Sequence, residues 1–181
     1  MVLSIIGLQS CNADDDSSTE APFFSFLNLS DIRLDTVVKA ADVWEYGFRF
    51  SSLKAGTISR LGIKVPTLGT YKVRLYDLAS NQLLVEKEVI SNEKNAEHFV
   101  SINEIKVGSG ADLGLSLVAD VFFKAQNLSG AEFPFPQDKG SLRIISFNEE
   151  KCGPNGCATF PANSNQIVIA PCVNLEFKAA N

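Results

Sequence analysis

The hexapeptide Cys152-Gly153-Pro154-Asn155-Gly156-Cys157 sets two thiols around a Pro-Asn-Gly turn that brings its own ends together. Outside a reducing cytosol this spacing suits a disulfide, and closing so small a ring stabilises by about 2 kcal/mol in the chain-entropy model. A bridge from either cysteine to Cys172 would close a larger ring, and the sequence leaves that pairing open. The expectation is a Cys152–Cys157 bond with Cys172 a free thiol in or near the last strand. A redox-active Cys-x4-Cys reading lacks the helix N-terminus that lowers a thiol pKa. His98 is the single histidine, which excludes a metal centre built on several imidazoles and leaves His98 the one base for any histidine triad. It stands beside Glu97 at the start of a strand, where an exposed surface role is expected. Glu149 and Glu150 cannot flank a glycosidic bond as a catalytic pair, because neighbours on a strand point to opposite faces. Asp77 with Asn81, and Asn148-Glu149-Glu150, offer oxygens of the kind calcium takes. No Asp-x-Asp-x-Asp ladder accompanies them, and both groups read as solvated turns. No Gly-rich phosphate loop, Cys/His metal spacing or Gly-x-Ser-x-Gly occurs. The reading is a protein without catalytic residues, bound metal or cofactor.

Aromatic side chains are the remaining candidates for ligand contact. In Ala131-Glu132-Phe133-Pro134-Phe135-Pro136-Gln137-Asp138-Lys139-Gly140 two Phe alternate with prolines in a connecting segment, where composition normally turns polar. Each Pro biases the residue before it toward extended backbone. Phe133 and Phe135, with Lys139 behind them, either contact a ligand or plug the open end of the domain. Tyr76 is expected to be exposed, on one strand face with Lys72 and Arg74. Trp44 would suit sugar stacking, yet its parity with Tyr46, Phe48 and Phe50 places it in a core.

The elements that must hold these residues are strands. Trp44, Tyr46, Phe48 and Phe50 alternate with Glu45 and Arg49; Ser59, Leu61, Ile63 and Val65 repeat the pattern, and so do Tyr71, Val73 and Leu75. Further runs cover Leu83 to Val89, His98 to Val107, Leu113 to Phe123 as the longest, Leu142 to Phe147, and Ile167 to Phe177. Phe23 to Leu27 and Ile32 to Val38 are weaker. No window carries a helical period. About eight or nine strands at this spacing, joined by short Gly-containing turns, define an all-β fold, an antiparallel β-sandwich of jelly-roll or immunoglobulin-like kind.

The first twenty residues belong to none of this. Met1 to Leu8 are apolar apart from Ser4 but far too few to span a bilayer, which takes about 20 residues. Leu8-Gln9-Ser10-Cys11 resembles the bacterial lipobox, Leu-x-[Gly/Ala/Ser]-Cys. In such precursors the cysteine thiol takes a diacylglyceryl group and the bond before it is cut. The resemblance implies lipidation at Cys11 and makes 1–10 the C-terminal part of a signal peptide. It lacks the basic start of a signal. Residues 11–21, with Asp14-Asp15-Asp16, then form an acidic tether that cannot fold alone. An acidic run behind the lipidated cysteine also resembles the export signal of Gram-negative surface lipoproteins. The implied location is the outer membrane, lipid-anchored on the cell-surface face, with the periplasmic face as alternative. A single sandwich domain occupies 22–181.

A second resemblance rests on Gly47-Phe48-Arg49-Phe50, Ala55-Gly56-Thr57-Ile58-Ser59-Arg60-Leu61 and Gly69-Thr70-Tyr71-Lys72-Val73-Arg74-Leu75-Tyr76-Asp77. These are similar to an uncharacterised bacterial family of secreted β-sandwiches reading Gly-x-x-Phe, Gly-Thr-Val/Ile and Gly-Thr-x-x-x-x-Leu-Trp/Tyr-Asp/Ser. It extends through Leu83-Leu84 and Val173-Asn174-Leu175-Glu176-Phe177. The family often stands beside carbohydrate-active modules, so the resemblance implies an extracellular sandwich and contact with glycan. It supplies no catalytic residues.

Composition agrees with such a role. A net charge of −5 and 16 scattered Lys and Arg build no basic face, which excludes nucleic acid as the expected partner. The expected function is a non-catalytic surface module contacting extracellular glycan. The alternatives are a structural or adhesive subunit that lends strands to other surface proteins and, further off, a small hydrolase.

Overall fold

The structure is a computed structural model that describes residues 18–39, 42–153 and 155–180. Cys11, the apolar start and the acidic run through Ser17 lie outside the described residues.

The described chain is an antiparallel β-sandwich. Its larger sheet has the strand order β10 (Gln137–Lys139), β11 (Leu142–Cys152), β3 (Val43–Ser52), β8 (Asp112–Ala119), β5 (Gly69–Asp77) and β6 (Gln82–Ser91). There β12 (Asn163–Asn165) also pairs with β11. The facing sheet runs β1 (Thr19–Glu20), β14 (Val173–Ala179), β4 (Gly56–Lys64), β7 (Glu97–Val107). A small third sheet, β13 (Val168–Ile169), β9 (Val121–Asn127) and β2 (Ile32–Val38), extends one end.

Period-two alternation fills the core as the sequence leads one to expect. Tyr46, Phe48 and Phe50 of β3, Tyr71, Val73 and Leu75 of β5, and Leu113, Leu115 and Leu117 of β8 are all buried. They meet Ile58, Leu61 and Ile63 of β4 and Val173, Leu175 and Phe177 of β14. Burial of this apolar surface, at about 25 cal/mol per Å², is the main favourable term. Simple alternation fails on β4, where Ile58 and not Ser59 faces inward. The pairing with β14 steps from Leu61 and Arg60 directly to Ile58, so Ser59 is the extra residue of a bulge.

Several expectations need correction. Among the described residues fourteen strands stand where eight or nine were expected, partly because two long runs are broken. Leu113–Phe123 parts at exposed Asp120 into β8 and β9, which enter different sheets. Ile167–Phe177 parts at Ala170-Pro171-Cys172, where proline has no N–H for a ladder. Phe23–Asn28 is a 3₁₀ helix, not a strand; it begins after Pro22 and inserts Phe23 and Phe26 between the sheets. Phe23 stacks on Phe48 with ring centroids 5.2 Å apart, and Phe26 does so at 5.5 Å. Asn148-Glu149-Glu150 is no turn, for β11 continues through it to Cys152. Thr19 and Glu20, expected within an acidic tether, pair with Lys178 and Phe177, and the Glu20 carboxylate accepts bonds from Ser141 N and Oγ, each 2.7 Å.

Candidate functional site

Three of the four residues proposed for ligand contact converge on one end of the sandwich. Phe133 is 2% exposed, edge-on to Phe26 at 5.9 Å, with its N–H donated to the Gln166 carbonyl at 2.7 Å. Phe135 is half-buried, 5.8 Å from Phe26 and 6.4 Å from Phe133, and the Lys139 ammonium lies 5.5 Å from the Phe26 ring centroid. The rings thus close the core around the 3₁₀ helix, and Phe133 offers no open stacking face. Trp44 packs against the core with Lys39 Nζ 3.9 Å over its ring.

Tyr76 corrects the sequence expectation most sharply. It keeps the outward parity of Lys72 and Arg74, yet is 3% exposed. The cause is a polar cluster on the outward face of the larger sheet, covered by residues 155–162. Glu45, fully buried, accepts bonds from Ser116 Oγ at 2.6 Å, Tyr76 Oη at 2.8 Å, Arg74 Nη1 at 3.0 Å and the Cys157 N–H at 2.7 Å. Arg74 Nε donates to Glu86 at 2.7 Å. Its Nη1 also donates to the Cys157 carbonyl at 2.9 Å, and Nη2 to the carbonyl of Asn155. Burial disfavours the guanidinium charge, but Glu45 and Glu86 outweigh it and raise the pKa. Burial, then the charge of Glu45, pushes the Tyr76 phenol well up, so it stays a donor.

Neither local pattern nor motif marks this cluster. Arg74 and Ser116 are register partners across β5 and β8, Ser116 faces Gly47 on β3, and Glu45 lies two residues along β3 on the same side. The one legible hint was the shared parity of Arg74 and Tyr76.

Over the next row the Phe160 ring lies against Gly114, where a Cβ would come 2.5 Å from Phe160 Cδ2; it also stands edge-on to Tyr76 at 5.8 Å. Cys152 and Cys157 sit at disulfide distance, Cα–Cα 5.0 Å, as expected. A Glu45 oxygen lies within 4.8 Å of both sulfurs, but the sulfurs bond each other and the carboxylate already accepts four hydrogen bonds. Cys172 is a free, fully buried thiol. Burial pushes its pKa up to about 12 against the opposing hydrogen bond from Phe123, so it is inert as a nucleophile. His98 is half-buried, its Nε2 3.0 Å from the Glu93 carbonyl.

An accessible concavity with apolar and charged lining lies elsewhere. An open groove of about 400 Å³ is lined by apolar Leu84, Ile105, Val107 and Leu113 and by charged Asp77, Lys106 and Asp112. Its two carboxylates are fixed. Asp77 accepts the Ala79 N–H at 2.9 Å and Ser80 Oγ at 2.8 Å, the turn expected there. Asp112 takes a two-pronged bond from Arg49 at 2.9 and 2.7 Å. Both keep lone pairs for a further donor. Comparison of the chain with protein-family models, curated proteins and solved structures returns no match.

Proposed function

We propose that this protein is a non-catalytic binding domain held at a bacterial outer surface by a lipid on Cys11, with extracellular glycan as its ligand class. The observation that carries the ligand class is the groove between the β5–β6 turn and the β7–β8 loop. Apolar side chains suit the C–H faces of a sugar ring, while Asp77, Asp112 and Lys106 suit its hydroxyls. Anchoring rests on Leu8-Gln9-Ser10-Cys11 and the composition break behind it.

Titration of the purified chain against a glycan panel tests the groove. Saturable binding is expected, weakened about tenfold or more, equivalent to about 1.4 kcal/mol, by Leu84→Ala with Lys106→Glu. Both side chains are exposed, so folding should be spared. No binding across the panel, or binding that ignores the double variant, overturns the assignment. For the anchor, expression in a lipoprotein-processing host should give a heavier, detergent-partitioning product that Cys11→Ala abolishes. Equal mass and partitioning of the two forms would exclude lipidation.

A second reading, assembly by strand pairing, is favoured by β6, which has no partner on its outer side among the described residues and exposes Leu83 and Ile90. Against it, Lys87 shares the core-facing parity of Val85 and Val89, a charge that discourages an incoming strand. A concentration-independent monomer in size exclusion would remove this reading.

A further inference from the structure

Residues 155–162 cover the polar cluster on the larger sheet while being attached at one side only. Cys152 ends β11 before them, and β12 after them pairs back onto Phe147–Glu149 of the same strand. From β11 the segment leans across β3 and β8 to β5.

What the sheet recognises in this cover is main chain. Arg74 takes the carbonyls of Asn155 and Cys157, and Glu45 takes the Cys157 N–H. No side chain between Asn155 and Cys157 is bonded by either group. Close approach is required at Gly156, which has φ +88° and where a Cβ would stand 2.8 Å from Glu45 Oε2. Three residues beyond Cys157, Phe160 fills the dish over Gly114. The segment is a tight turn, with the Gly156 N–H donated to the Gly153 carbonyl at 2.9 Å, and the sheet holds it by a carbonyl, an N–H and a second carbonyl followed by an aromatic ring. Beneath them the receptor groups are already fixed, Glu45 by Ser116 and Tyr76, Arg74 by Glu86. A buried ion pair of this kind contributes little net stability, which leaves its presence unexplained by folding alone.

We propose that this sheet face is a slot for a turn-forming peptide carrying an aromatic side chain, filled in cis by the chain's own residues 155–160 and opened to a peptide in trans when the Cys152–Cys157 bond is reduced. The two cysteines are half-buried and border an open depression of about 280 Å³, from which a reductant would reach the bond. A dithiol supplies the electrons. Its first thiolate attacks one sulfur and breaks the protein S–S bond; its second thiol resolves the mixed disulfide. The dithiol leaves as a cyclic disulfide, and two protons end on the Cys152 and Cys157 thiols. Freed of the ring, the turn that presents Asn155 and Cys157 to Arg74 loses its constraint, and the cover can be displaced.

The test uses the full chain and a fluorescein-labelled peptide of residues 155–162, carrying Cys157→Ser, read by anisotropy with and without dithiothreitol. Binding to the reduced protein should be at least about tenfold tighter than to the oxidised protein. Phe160→Ala in the peptide, or Gly114→Ala in the protein, whose methyl would occupy the dish, should abolish it. Hydrogen exchange should quicken on reduction in residues 155–162 while the amides of β3 and β8 stay protected. Loss of the whole fold on reduction, unchanged exchange in the cover, or peptide binding indifferent to redox state or to Gly114→Ala would each overturn the proposal.

Discussion

Alanine at both Phe133 and Phe135 is expected to cost at least about 3–5 kcal/mol, the usual range for emptying a buried phenylalanine site. For a chain of 181 residues that is a fall in Tm of roughly 6–20 °C by thermal denaturation. The loss falls mainly on Phe133, whose ring is packed edge-on against Phe26, and less on half-buried Phe135. Since Phe26 stacks on Phe48 of β3, the void would reach the centre of the larger sheet. An unchanged Tm accompanied by weaker glycan binding would return the loop to the contact surface and remove the core role assigned here.

Glu45→Ala is expected to be as damaging for another reason. It leaves a charged guanidinium, two hydroxyls and a backbone N–H without their acceptor in a site closed to water. Removing one partner of a buried pair costs about 3–5 kcal/mol. Replacing both charges, Glu45→Met with Arg74→Leu, should recover only the part due to the unpaired guanidinium, because Ser116, Tyr76 and the Cys157 N–H still lack an acceptor. Urea denaturation of the two single variants and the double variant forms a cycle whose coupling term should be large and positive for the native pair. Additive losses would show that the two groups act independently, contrary to their 3.0 Å contact.

The two cases separate what parity can and cannot reveal. Alternation in β3, β5 and β8 identified the inward residues correctly because one covered face forces every second side chain inward. The same alternation assigned Glu45, Arg74 and Tyr76 to the opposite face, also correctly, and the inference that Tyr76 is therefore exposed failed. A strand pattern records which side a residue points to; whether a distant segment covers that side is decided by tertiary contacts, here Phe160 and the main chain of 155–157. The plug formed by Phe133 and Phe135 was legible as one of two alternatives, since paired rings held between prolines have few places to go. Its partner Phe26 was not, because Pro22 and three phenylalanines within four residues read equally as a weak strand.

By itself the sequence determined the class of fold, the turn that joins Cys152 to Cys157, and the abrupt change in composition around Cys11. Each depends on local chemistry: side-chain alternation, proximity along the chain, or apolar content. The tertiary structure alone decided the bulge that turns Ile58 inward, the break of one long run into β8 and β9, and the assembly of Glu45, Arg74, Tyr76 and Ser116. Those depend on register, and register is fixed by which strands lie side by side, a property of pairings tens of residues apart along the chain.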